Sequence, residues 1–277
     1  MNGKYRNLPR WIVFFVAAGI MNFPVISTLS VSFKTAGEIS RNPGLFVNEP
    51  TLQNFAKVLE VTERLNIFSY LQNSLIASLI GSILPIILCF PLAYAIARRG
   101  YGINFIFPTV VNLRAMPLII FAIPLYMMYQ TIGLLDTPWG LGLILAVVNL
   151  PLALLILVNS INDVPYELDE SARIEGARID VILVKIIFPI CPPALATVFI
   201  FSFITAWNEF LFGLMLTTIK AVPITVGTSF FFSSGGGGVH WGVAASVIIV
   251  ASLPPVVLGV LMYKHISKSM TAGAVKG

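Results

Sequence analysis

Charge is missing from this chain in blocks, each long enough to cross a lipid bilayer. No Lys, Arg, Asp or Glu occurs at 11–33, 65–97, 137–162 or 186–208, nor at 221–263, where His240 is read as neutral. A further apolar stretch, 100–135, is interrupted only by Arg114. A membrane helix needs about 20 mostly apolar residues to span the hydrocarbon core. The blocks predict helices near 11–32, 70–97, 103–130, 139–161, 190–217 and 242–264, hence an all-α membrane protein with six transmembrane helices. Composition agrees: 57% of residues are apolar and 10% charged, whereas a soluble domain carries about 25% charged residues. Such a surface faces lipid.

The basic residues fall between the apolar runs, so the net charge of +5 reads as a topology signal and not as a nucleic-acid footprint. With the N-terminus inside, the loops divide eleven Lys and Arg on the cytoplasmic side against five outside, with Arg114 left in the membrane. Both termini are therefore expected in the cytoplasm. The charge-free run Trp11–Phe33 exceeds a signal-peptide core of about 7–15 residues, so it is read as an uncleaved first span. The resulting plan is one transmembrane domain over 1–277: first span 11–32, external loop 33–69, a core of five helices over 70–265 and a tail at 266–277. The external loop includes an expected short amphipathic helix near 51–64. Cys89 and Cys191 have no metal-ligand or redox spacing and read as membrane-buried thiols.

The connection 162–189 differs from the rest. It is charged, cytoplasmic by the count above, and patterned as two short helices. Asp163 and Pro165 suit a helix start. Leu168 and Ala172, four apart, share a face surrounded by Glu167, Asp169, Glu170, Arg173 and Glu175. Gly176 supplies a stop. Asp180 is placed to cap a second segment carrying Val181, Ile182, Val184 and Ile186 and ending at Pro189.

The residues Glu170-Ser171-Ala172, then Gly176, then Ile186-Ile187-Phe188-Pro189 resemble the EAA loop of permease subunits of binding-protein-dependent ABC importers. The glycine-to-isoleucine spacing matches, with Ser for the second alanine and Phe for leucine. Met116-Pro117, Ile123-Pro124-Leu125-Tyr126, Gly133-Leu134-Leu135-Asp136-Thr137 and Ala206-Trp207-Asn208-Glu209-Phe210 look like the carbohydrate branch of that family. The C-terminal Thr271–Gly277 is similar to the tail of maltose- and trehalose-type permeases.

The resemblance implies a type I ABC importer transmembrane domain. Its first loop helix would dock on a cytoplasmic ATPase, with Glu170, Ser171, Ala172, Gly176 and Ala177 as the coupling positions. It also implies partners: a second, non-identical permease subunit, two ABC ATPase subunits, an extracytoplasmic sugar-binding protein and a sugar substrate. This chain would bind no cofactor, and ATP and Mg would sit on the partner ATPase.

Within the membrane, Arg114 lies about 16 Å into its span at 1.5 Å per residue, near the midplane if that span is straight. A charge there faces a cavity or a partner. Glu209 is the opposite charge at hand, and two readings stand: a structural or gating pair, or lining of the pathway. Trp207, Asn208 and Glu209 offer a ring, an amide and a carboxylate, which is chemistry that suits sugar. Asn149, Asn112 and Tyr126 are further candidates.

No G-x-x-x-x-G-K-[ST] is present, so nucleotide binding has to come from another chain. No HExxH or GxSxG occurs either, which argues against an intramembrane enzyme. A stand-alone secondary transporter would fit six spans and an intramembrane arginine. It would leave the patterned 162–189 loop unexplained and would call for a repeat between the halves, which is not found.

Overall fold

The long apolar runs fold mostly into helix, because a backbone in lipid has to satisfy its polar groups within its own segment. The computed structural model describes residues 8–62, 65–232 and 238–274. Among these no β-strand occurs, only an isolated bridge between Lys34 and Pro50. The helices are α1 (Leu8–Ser32), α2 (Ala36–Arg41), α3 (Gln53–Leu59), α4 (Ile67–Arg99), α5 (Ile106–Asn112), α6 (Ile119–Ile132), α7 (Pro138–Asn162), α8 (Glu167–Ile174), α9 (Ile179–Val181), α10 (Phe188–Ile190), α11 (Pro192–Trp207), α12 (Leu211–Leu216), α13 (Ile224–Phe230) and α14 (Trp241–Ala274). Four stretches are long and apolar enough to cross a membrane: Arg10–Ser32, Ile67–Arg99, Pro138–Asn162 and Trp241–Met262. The number rises to six if two bent pairs each count as one span.

The bends are where the structure departs from the straight spans expected at 103–130 and 190–217. Ile106–Ala115 and Ile119–Ile132 meet at 105°. The cause is local: Pro117 forces Met116 into extended backbone (φ −82°, ψ 132°), which ends the helix ahead of it. Ile179–Ile190 and Pro192–Trp207 meet at 79°, with Cys191 at the corner and two prolines opening α11. The second apolar run therefore breaks twice, at Cys191 and again at 208–210, ahead of α12.

By packing, the chain forms two compact units, Met1–Ile67 with Gly227–Ser252, and Phe68–Val226 with Leu253–Gly277. In the first, α1 presents its apolar side chains outward, with Phe15 66% and Met21 80% exposed. The segment after it is a folded knot. Buried Lys34 donates from Nζ to the carbonyls of Asn42 and Gly44, and buried Glu38 accepts from the N–H groups of Asn48 and Glu49. Asn54 Nδ2 donates to the carbonyls of Ser32 and Lys34, and Gly242 is tight against it, since a Cβ there would stand 2.5 Å from Nδ2. The amphipathic helix expected near 51–64 is α3, shorter than drawn. Of the glycine run 235–238, which the sequence suggests as a flexible hinge or tip of the last external loop, only Gly238 is among the described residues.

In the second unit α7 is the central element, packed by α5 and α11. Close approach comes from small residues, as membrane interfaces favour. A Cβ on Gly142 would stand 2.7 Å from Ile80 Cβ, and one on Gly81 would stand 3.0 Å from Leu145 Cβ and 3.1 Å from Ala206 Cβ. Pro85 in α4 has no N–H for the carbonyl of Gly81, four residues earlier. Asn149 fills that vacancy: its Nδ2 donates to Gly81 O at 2.9 Å and to Ser202 O at 3.1 Å, joining α4, α7 and α11.

Candidate functional site

The 162–190 connection folds as the sequence suggests in outline and differs in its buried face. α8 carries three acids in its first turn, Glu167, Asp169 and Glu170, where the helix dipole favours them. It ends at Glu175, and Gly176 then takes φ +82°, a left-handed turn open to glycine. The face turned to the protein is Asp169 and Ala172, while Leu168 is 40% and Ile174 88% exposed. Leu168 therefore does not share the buried face with Ala172. Of the positions implicated by the motif, Glu170, Ser171 and Gly176 are exposed, Ala177 is half-buried and Ala172 is buried. Ala177 N–H donates to Ala172 O at 2.9 Å, closing the turn.

The second segment also differs. Arg178, not Asp180, occupies the capping position, and Asp180 instead pairs with Arg178 at 3.2 Å on the surface. Helix then continues through a wide π-helical turn, Ile182–Ile187, and through Pro189 into α10. Ile182 and Ile187 are fully buried, in one apolar cluster with Phe90, Ala93, Ile161, Val164 and Ala172.

What holds α8 in place was not legible as a motif. Asp169 is fully buried and forms an ion pair with Arg98 at 3.0 Å, while Tyr94 Oη donates to its other oxygen. Arg98 donates to Val164 O at 2.9 Å and lies 5.6 Å from the Tyr166 ring centroid, within cation–π range. Tyr94 and Arg98 are four apart on one face of α4. That spacing beside an acid-rich loop was the available signal, and Arg98 had been counted only as a topology charge.

The candidate pathway residues fall into two groups. Arg114 sits in a single 3-10 turn at the 105° bend, exposed, so the depth reckoned along a straight helix does not apply: the rise per residue changes axis there. Arg114, Asn149 and Thr205 line one mostly apolar cleft of about 340 Å³, with Leu118, Phe121, Val148 and Phe212 among its walls. Trp207, Asn208 and Glu209 lie outside that lining. Trp207 is buried and stacked on Phe203 at 5.7 Å. Asn208 turns its amide back to Ile204 O. Glu209 accepts from the N–H groups of Phe212 and Gly213, capping α12, and among the described residues no ion pair joins it to Arg114. Asn112 and Tyr126 are exposed.

The turn between α6 and α7 is held tightly. Gly133 is left-handed at φ 73° and closes α6, Thr137 Oγ1 accepts from Gly140 N–H to cap α7, and Tyr129 Oη donates to Gly140 O. Between them Asp136 adopts φ 53° and accepts from four consecutive N–H groups, Thr218 to Ala221.

A helical membrane chain with bent spans and a surface helix anchored beside its apolar core has the build of a transporter's permease subunit. The chain belongs to the family described as binding-protein-dependent transport system inner membrane component, which it matches over residues 88–272. It is 31% identical to the trehalose/maltose transport system permease protein MalG of Thermococcus litoralis, covering 92% of this chain and 91% of that one. It is 30% identical to the trehalose transport system permease protein SugB of Mycobacterium tuberculosis, over 95% of both. Among solved structures it resembles a bacterial ABC transporter involved in the import of the acidic polysaccharide alginate, with a TM-score of 0.78 at 19% identity, over 94% of this chain and 96% of that one.

Proposed function

We propose that this chain is one permease half of an ATP-driven sugar importer of the bacterial or archaeal cell membrane. It would cross the membrane six times, each bent pair counting as one span, with both termini in the cytoplasm. A second, non-identical permease subunit would complete the pathway. Two ABC ATPase subunits, carrying ATP and Mg, would drive it, and an external binding protein would deliver sugar. The observation that carries this reading is α8: a short helix with Glu170, Leu168 and Ile174 presented outward and Asp169 and Ala172 locked inward. Such a helix offers a docking face without being free to shift on its own scaffold. The sugar class rests on the relatives named above, and the cleft beside Arg114 and Asn149 is the candidate stretch of pathway in this chain.

The test is uptake of labelled maltose and trehalose into right-side-out membrane vesicles containing the full set of cognate subunits. Uptake is expected to need ATP and the binding protein, to survive collapse of ion gradients, and to fall in Glu170→Arg together with ATPase co-purification. Uptake driven by an ion gradient without ATP would replace this reading with a secondary transporter.

A further inference from the structure

Polar contacts hold α4 near each end and at its middle. At its C-terminal end Tyr94 and Arg98 grip buried Asp169 of α8. At its middle Asn149 repairs the carbonyl that Pro85 leaves open. Near its N-terminal end Asn73 Nδ2 donates to the carbonyls of Lys220 and Val222 at 2.9 and 3.1 Å, and Ser74 Oγ accepts from Ile224 N–H at 2.7 Å. The 33 residues between Ile67 and Arg99 form one unbroken helix, about 50 Å long at 1.5 Å per residue.

We infer that α4 is the strut that carries displacement of α8 to the 217–224 segment at its far end, and that Asp169 is the positioning residue joining the two. This rests on the ATP-driven reading above. The covalent route out of the C-terminal end of α8 is compliant by comparison, because it passes through left-handed Gly176, the π-helical turn and the 79° corner at Cys191. The non-covalent route is stiff, because separating Asp169 from Arg98 would leave a charge buried without its partner. A pull on α8 therefore loads α4 before it straightens the chain behind Gly176. Repair of the Pro85 gap by Asn149 removes one of the two places where α4 would otherwise hinge, the other being at Pro91. At the far end, the carbonyls gripped by Asn73 belong to the segment whose N–H groups are wrapped around Asp136. Motion of α4 consequently moves that turn as a body.

The experiment uses the whole complex in proteoliposomes, with Ile219→Cys as reporter, since Ile219 is 83% exposed and Cys89 and Cys191 are buried. The reaction rate of a water-soluble maleimide is measured without nucleotide and with ATP plus vanadate, alongside ATP hydrolysis. In the otherwise wild-type chain, nucleotide is expected to change the labelling rate by about fivefold or more, the lower end of ordinary coupling between sites. Asp169→Asn and Asn73→Ala, at opposite ends of α4, are expected to lose most of that change while the ATPase still co-purifies and turns over. A residue that only supports the fold would lower assembly, hydrolysis and labelling response together. If both variants assemble and respond as the parent does, or if the parent hydrolyses ATP with no change at position 219, the strut is overturned. Should Asp169→Asn fail to assemble, Asn73→Ala decides in the same two senses. A parent chain that recruits no ATPase would instead overturn the function itself, an outcome read from co-purification before any labelling.

Discussion

The carboxylate of Asp136 lies 3.1 Å from the backbone nitrogen of Lys220, and the N–H groups of Thr218, Ile219 and Ala221 donate to the same two oxygens. One side chain, itself held at positive φ, thus organises the turn that follows α12. Burial pushes this carboxyl up, but the N–H groups of Lys220, Thr218, Ala221 and Ile219 outweigh it and hold the group at about 2.

The sign of the resulting pH dependence follows. A folded-state pKa below the ordinary carboxylate value of about 3.9 contributes stability that is complete above that value and lost as pH falls through about 2. Between pH 5 and 8 the contribution of Asp136 should therefore be flat. Asp136→Asn removes the charge and part of the acceptor capacity, and is expected to cost on the order of 1–3 kcal/mol. Thermal unfolding of the detergent-purified chain at pH 5, 6.5 and 8 would show an equal loss at each. A loss confined to one pH would contradict this account.

Asn149→Leu should destabilise by about 0.6–2 kcal/mol, the range for interhelical hydrogen bonds in membranes. The partner assignment makes a sharper claim. Pro85→Ala restores an N–H for Gly81 O, so in the Asn149→Leu background it should recover part of the loss. Strict additivity of the two changes, measured by unfolding, would show that Asn149 does not serve that carbonyl.

At Gly142 a side chain has no room. Gly142→Val is expected to cost about 1–3 kcal/mol by overpacking against Ile80, and Ile80→Ala in the same chain should relieve part of it. Limited proteolysis and unfolding temperature would report both effects.

Gly176 poses the opposite case: a Cβ there meets nothing within 4 Å, so any penalty comes from φ +82° alone. Gly176→Val should therefore lower ATPase co-purification and uptake, with a backbone strain of about 1–2 kcal/mol. Gly176→Asn, whose side chain tolerates the left-handed region, should retain far more. Equal losses for the two would point to a contact with the partner rather than to backbone strain.

How much of this was readable beforehand depends on the range of the interaction. The four unbroken spans and the left-handed stop at Gly176 follow from local composition and backbone chemistry, and the sequence contained both. The bend at Met116 was equally local, because the residue before Pro117 is driven out of helix. A reading by hydropathy alone runs straight through it, and Arg114 was misplaced in consequence. Asp169 could not be found that way. Its partners Tyr94 and Arg98 are 75 and 71 positions away, and nothing in a charged loop says which acid turns inward. Trp207, Asn208 and Glu209 were singled out for their chemistry, and their described contacts include stacking on Phe203, a bond to a backbone carbonyl and a cap.

The exposure of α1 bears on what variation the chain can absorb. None of the most apolar stretch of that helix is buried within the chain, against 61% for α7. Replacing one large apolar residue of α1 by another changes hardly any internal neighbour, so its letters are nearly interchangeable within a hydrophobic alphabet. In α7 the choices at Gly140, Gly142 and Asn149 are each dictated by a specific atom opposite. Both helices are long and apolar enough to cross a membrane yet store very different amounts of information, and random mutagenesis should find a permissive stretch in the one and a nearly fixed text in the other.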